Sequence, residues 1–273
     1  MRIIFSKKLF MTCLLCSFLF VANAQQSTYQ NEKNIIYTKH EDSYSKERCK
    51  LDLYYPVDKK DFITVIWFHG GGLTGGNKEL PSYLKEKDIA VVGVGYRLAP
   101  NVKVQDIIND AADAVKWTFN NVERFGGSKQ KIVISGMSAG AYLSLMLALN
   151  TEYLSKRGLS PDDLYGVVSF SAQTITHFTA RKEQGIEGLQ PTIDKLAPLY
   201  WVRNNVPRML LLTGDRELEM MGRYEENAYL ERMLKLHGNT NVSLYELDGY
   251  GHNMEYPAFP LFINVLKEWS KKQ

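Results

Sequence analysis

Cysteine is scarce in this chain. There are three among 273 residues, Cys13, Cys16 and Cys49. The first two fall in an N-terminal stretch with the marks of an export leader, so only Cys49 is expected in the mature protein, where it has no partner for an intramolecular disulfide. Outside the expected leader there are no paired cysteines, and no His-Glu-x-x-His run is present to hold zinc; nothing in the sequence asks for any other cofactor. Charge of one sign is lacking too. Thirty-three Lys and Arg stand against 30 Asp and Glu, a formal net charge of +3. Removal of the leader takes away Arg2, Lys7 and Lys8 and no acid, which leaves the mature chain near zero. A neutral chain has no electrostatic grounds for holding nucleic acid. Beyond the leader, no apolar run approaches the roughly 18 residues that would span a bilayer, so no stable membrane insertion is expected after cleavage. The Gly-x-x-x-x-Gly-Lys-Ser/Thr loop that cradles phosphates is absent, and Gly93-Val94-Gly95 lacks both the third glycine and a helix start. Repeats, low-complexity segments and linkers are missing as well, which favours one domain over residues 25–273.

The leader has the three parts that an export signal needs. Arg2, Lys7 and Lys8 form a basic start. Leu9 to Ala22 is apolar apart from Thr12 and Ser17, and Ala22-Asn23-Ala24 is a small-residue cleavage site. Residues 1–24 are therefore expected to be a signal peptide, and the mature protein periplasmic or extracellular. A lipoprotein signal at Cys16 fits less well, because bulky Leu15 precedes the cysteine.

Gln25 to Lys33 is polar and expected to be loose, and short strands are expected at Ile35 to Thr38 and Leu51 to Tyr55. Phe62 to Phe68 is almost continuously apolar, as suits a strand covered on both faces. Ile89 to Tyr96, the run before Ser135, Tyr165 to Phe170, Met209 to Thr213 and Val242 to Leu247 read as further strands. Helical spacing marks Val104 to Val122, Ala141 to Asn150, Tyr224 to Leu236 and Ala258 to Lys271, with a shorter helix expected at Leu80 to Lys87. This alternation predicts an α/β fold: a mostly parallel central sheet with helices on both faces. Residues 171–205 are irregular, polar and aromatic, and are expected to form a cap or substrate wall.

One stretch carries chemistry directly. Lys131 to Ser135 feeds Gly136-Met137-Ser138-Ala139-Gly140, and an apolar helix follows. This strand–Gly-x-Ser-x-Gly–helix pattern is a nucleophile elbow. A serine hydroxyl needs a base, and the base needs a third group to fix its tautomer. Of the five histidines, His252 lies in a glycine-flanked loop after the last strand and is the expected base. His40, His69, His177 and His237 have blander roles. The acid should lie between serine and histidine in the chain, and Asp215, at the end of Leu210-Leu211-Leu212-Thr213-Gly214, is the expected one. Glu217 and then Glu219 are the alternates in the same acidic loop. His69-Gly70-Gly71-Gly72 follows a strand, where glycine amides can turn toward a carbonyl oxygen. Gly71, Gly72 and Ala139 are the expected oxyanion donors.

Taken together, His69-Gly70-Gly71-Gly72, Tyr96-Arg97-Leu98-Ala99-Pro100, the Ser138 pentapeptide, Gly214-Asp215 and Gly251-His252 resemble the α/β-hydrolase superfamily. More narrowly, they resemble its bacterial esterases and lipases of the hormone-sensitive-lipase-like and feruloyl-esterase-like groups. The resemblance covers about residues 50 to 272. It implies an α/β-hydrolase fold and a serine carboxylesterase, with Ser138 as nucleophile, His252 as base and Asp215 as acid. It also implies short-acyl or aromatic-acyl substrates, small or linked to plant polysaccharide. The acid loop, Gly-Asp-Arg-Glu, departs from the common Asp-Pro-Leu-Val form. Amide hydrolysis shares the same tetrahedral intermediate, so a serine amidase or peptidase is the alternative reading.

Overall fold

Phe62–Phe68 is buried at every position, and its side chains alternate between two hydrophobic layers. Phe62, Ile66 and Phe68 enter one layer. Ile63, Val65 and Trp67 enter the other. Such a strand is stable only with cover on both faces, and the rest of the chain supplies it. The computed structural model describes residues 27–220 and 222–271; the expected leader lies outside them. In chain order the strands are β1 (Tyr29–Ile36), β2 (Lys50–Pro56), β3 (Phe62–Phe68), β4 (Ala90–Val94), β5 (Gly127–Met137), β6 (Gly166–Phe170), β7 (Met209–Gly214) and β8 (Val242–Leu247). The α-helices are α1 (Ser43–Arg48), α2 (Val104–Asn121), α3 (Ala139–Leu149), α4 (Thr151–Ser155), α5 (Phe178–Glu183), α6 (Arg223–Leu236) and α7 (Glu255–Lys271).

Among the described residues all eight strands form one sheet in the order β1-β2-β4-β3-β5-β6-β7-β8. Strand β2 runs antiparallel to both β1 and β4, and β3 to β8 are mutually parallel. Helices α2, α3 and α6 cover one face, and α7 covers the other through Phe259, Phe262, Ile263, Leu266 and Trp269. This is the mostly parallel, doubly covered sheet expected from the alternation of elements. Helix α3 is buried at all eleven positions, which explains why its sequence is apolar all round rather than striped. Among the described residues no helix is long and apolar enough to cross a membrane.

Two expectations fail locally. The polar stretch before Ile35 is not loose: Tyr29–Ile36 forms edge strand β1, paired with β2. Most of its residues are exposed, so backbone pairing rather than hydrophobic pattern makes it a strand. Leu80 to Lys87 holds only a single 3₁₀ turn, Ser82–Leu84. The left-handed backbone of Glu86, φ 58°, ends any helix there. The short helix α1 is not apparent from the sequence pattern; it is fixed by Asp42, whose side chain accepts from the Ser45 amide at 2.8 Å.

Parallel strands place their C-terminal ends at one edge of the sheet. There the chain leaves β3 at His69, β5 at Ser138, β6 at Ser171, β7 at Asp215 and β8 at Asp248. Ligand sites of open α/β sheets gather at this edge.

Candidate active site

Ser138 stands between β5 and α3 with φ 54° and ψ −111°. A serine held there costs on the order of 1–3 kcal/mol of backbone strain. Its surroundings impose the conformation. The Ser138 amide donates to the Phe170 carbonyl at 2.8 Å, and its carbonyl accepts from the Tyr142 amide at 2.9 Å. The flanking glycines are required by close approach to β3. A Cβ on Gly140 would lie 1.9 Å from the Phe68 carbonyl oxygen, and one on Gly136 would lie 2.5 Å from it. The Gly-x-Ser-x-Gly spacing thus records the crossing of the elbow over the β3 backbone.

The glycine run after β3 shapes the opposite wall. Gly71 and Gly72 have φ of 110° and 62°. The Gly71 carbonyl accepts from the amides of Thr74 and Gly75 at 3.1 and 2.9 Å. The Thr179 hydroxyl, from α5, donates to the Gly72 carbonyl at 2.5 Å. Among the described residues, the amides of Gly71, Gly72 and Ala139 donate to no backbone carbonyl. His69 anchors this loop from below. Its Nδ1–H donates to the Gly70 carbonyl at 2.6 Å, the Tyr96 hydroxyl donates to its carbonyl at 2.6 Å, and the two rings stack at 4.2 Å. Burial pushes the His69 imidazole down to about 4; the bond to Gly70 opposes this and the charge of Arg48 adds to it. His69 is therefore neutral near pH 7, and it braces the loop.

His252 lies in the loop after β8 with its side chain one-quarter exposed. Its Nδ1–H donates to Glu219 Oε1 at 2.7 Å. The Glu219 side chain is almost wholly buried and also accepts from the amides of Gly214 at 3.0 Å and Met220 at 2.8 Å. Burial alone would raise its carboxyl. Hydrogen bonds from His252, the Met220 and Gly214 amides and Ser171 outweigh that and hold it at about 2. It is a carboxylate at any working pH.

Asp215, the expected acid, does not face His252. Its two oxygens accept from the amides of Glu217 and Gly249, each at 2.9 Å, and its own amide donates to the Tyr250 carbonyl at 2.7 Å. It ties the acidic loop to the histidine loop. Glu217 is exposed. The cause is a helical turn: the amides of Leu218 and Glu219 both donate to the Asp215 carbonyl, at 3.0 and 2.7 Å. The turn carries the chain outward at Asp215 and brings it back over the strand end four residues later. Ser171 is a contact that the sequence does not announce. Its hydroxyl oxygen lies 3.0 Å from His252 Nδ1.

Ser138, His252 and Gly70 to Gly72 line one cleft of about 340 Å³. Phe178 from the 171–205 segment and Met220 form its apolar walls, and Glu79 and Glu255 its carboxylates; among the described residues no Lys or Arg lines it. A hydroxyl at a helix N-terminus, an imidazole oriented by a carboxylate and three free amides suit acyl transfer. The remaining histidines stand apart from this space. His177 is wholly buried under Phe178, His237 ends α6 with Nδ1 2.8 Å from the Met233 carbonyl, and His40 is exposed.

Residues 51–223 match the family model BD-FAE. An isoprenylcysteine alpha-carbonyl methylesterase of Arabidopsis thaliana is 30% identical over 164 residues, covering 57% of this chain and 37% of its own length. The chain spans only about a third of the length of such curated relatives. Among solved structures, esterase B of Lactobacillus rhamnosis, inhibited, superposes with a TM-score of 0.73 at 20% identity, over 90% of this chain and 88% of that one. Esterase 2 of Thermogutta terrifontis, phosphoramylated by tabun, gives 0.71 at 21% identity, over 89% and 95%. These structures share the α/β-hydrolase fold seen here.

Proposed function

The chain belongs to the BD-FAE family of α/β-hydrolase esterases, and on that footing we propose that it is an exported carboxylic-ester hydrolase working through an acyl-serine. In this reading Ser138 Oγ attacks the ester carbonyl while His252 Nε2 takes its proton. The amides of Gly71, Gly72 and Ala139 hold the oxyanion. Glu219 keeps the proton of His252 on Nδ1, leaving Nε2 free to act as base, and stabilises the imidazolium that forms. The alcohol leaves with the proton, and a water activated by His252 releases the acid.

The observation that carries the proposal is the 2.7 Å bond from His252 to the buried Glu219, set beside a cleft that His252 shares with Ser138. Export is supported by the basic start, apolar run and Ala22-Asn23-Ala24 site of the leader. A short-acyl or aromatic-acyl ester, small or attached to a polysaccharide, suits a 340 Å³ cleft with Phe178 and Met220 in its wall. The test is initial rates of protein starting at Gln25 on p-nitrophenyl acetate, p-nitrophenyl octanoate and methyl ferulate, beside Ser138→Ala. The proposal expects turnover of acetate or ferulate above octanoate, with all of it lost in Ser138→Ala. Unchanged turnover in that variant contradicts it.

A further inference from the structure

The last residue of β6 and the one that follows it touch both halves of the site. The Phe170 carbonyl accepts the Ser138 amide at 2.8 Å and so helps hold the elbow. The next residue, Ser171, is fully buried and takes the left-handed backbone, φ 51°. Glycine would occupy that conformation without strain, yet serine stands there. Its amide donates to the Leu212 carbonyl at 2.7 Å, extending the β6–β7 ladder by one rung. Its carbonyl accepts from Nη1 of Arg223, itself almost wholly buried. With both backbone groups tied down, the side chain has little freedom, and its oxygen sits 3.0 Å from His252 Nδ1. The same hydroxyl helps to hold the Glu219 carboxyl low, and Glu219 Oε1 lies on the same imidazole nitrogen at 2.7 Å.

We infer that Ser171 is a positioning residue, which locks the imidazole of His252 and the carboxylate of Glu219 in one geometry and registers that pair against Ser138 through β6. The inference rests on the serine-hydrolase reading above. The Ser171 oxygen turns a lone pair toward His252 Nδ1–H, 3.0 Å away, beside the Glu219 oxygen that accepts the same proton at 2.7 Å. The imidazole proton is then shared between two acceptors on one side, and rotation of the ring about Cβ–Cγ would break both contacts. No atom of Ser171 reaches the cleft lining, so it acts through its two neighbours. The strained backbone fits this role, because residues kept in sparsely populated conformations gather where geometry is over-determined for function.

The experiment compares Ser171→Ala and Ser171→Gly on p-nitrophenyl acetate, with Ser138→Ala as blank and Glu219→Gln as a second background. Glycine removes the hydroxyl while relieving the backbone, so that variant is expected to fold at least as stably as wild type. Both variants should lose about 10- to 100-fold in kcat, with KM unchanged. In the Glu219→Gln background the same replacements should cost much less, because the group that they help to position is already lost. Wild-type kcat in both variants overturns the inference, as does an equal loss in both backgrounds. If Ser138→Ala itself keeps turnover, the serine-hydrolase reading fails first. An inactive Ser138→Ala beside unimpaired Ser171 variants sinks the positioning role alone.

Discussion

At the scale of single residues, hydrogen bonding and burial sort the carboxylates of the acid loop. Asp215, Glu217 and Glu219 all follow β7, and each is a carboxylate of suitable reach. The choice among them depends on a helical turn closed by hydrogen bonds to the Asp215 carbonyl, which no residue pattern announces. Burial then distinguishes them, since only Glu219 is enclosed and bonded to His252. The pH dependence of stability offers a test at the same scale. His69 titrates near 6.5 when exposed but is held at about 4 by burial. The unfolded chain therefore binds a proton that the folded one refuses between these values. The stability that His69 contributes is fully present above about pH 6.5 and is lost as the pH falls toward 4. Buried His177, pushed the same way by burial and by Arg223 and Arg181, adds to this slope. Thermal melts of wild type from pH 7 to 4 should fall in midpoint, and His69→Gln should lower the whole curve but flatten it. An unchanged slope would show that the imidazole is not held neutral. That Ser138, His252 and the glycines share one cleft was legible because the elbow and glycine-run patterns use uncommon residues at fixed spacing. Ser171 was not, because its contacts arise from tertiary placement alone.

At the scale of elements, the buried strands and the long helices were legible for a simple reason. Two-sided burial forces unbroken apolar runs such as Phe62–Phe68, and one-sided burial forces the stripe of α2. Strand β1 was illegible because it is an exposed edge held by backbone bonds, and α1 because six residues carry no periodic signal. The elbow shows an element set by steric contact. Gly140→Ala would place a methyl 1.9 Å from the Phe68 oxygen, and backbone cannot step aside as a long side chain can. The expected cost is at least about 3 kcal/mol, read as a large drop in the denaturation midpoint or as failure to fold. Gly238→Ala is the control: that glycine has left-handed φ but nothing within 4 Å of the added methyl, so it should cost only about 1–2 kcal/mol. A Gly140→Ala cost no larger than that of Gly238→Ala would contradict the crossing with β3 as what fixes the elbow glycines.

At the scale of the whole molecule, a parallel sheet brings the ends of β3, β5, β6, β7 and β8 to one edge, and five separate chain segments meet there as one site. The alternation of strands and helices already required that edge. The order of neighbours along it, with β5 flanked by β3 and β6, came only with the structure. Local charge at the cleft bears on which esters enter it, and Glu79 and Glu255 are the carboxylates in its lining. An ester with a terminal carboxylate should therefore turn over at least about fivefold more slowly than its neutral isostere at low salt. The gap should narrow in high salt and in Glu79→Gln/Glu255→Gln. Equal rates would remove the carboxylates from any part in selection. The most direct test of the account as a whole is the kcat of Glu219→Gln beside Asp215→Asn on p-nitrophenyl acetate. Loss of the charge that orients His252 should cost roughly 10³- to 10⁴-fold, while Asp215→Asn, which disturbs only a tie between loops, should stay within about tenfold of wild type. The reverse order would contradict the assignment of Glu219 and return the acid to Asp215.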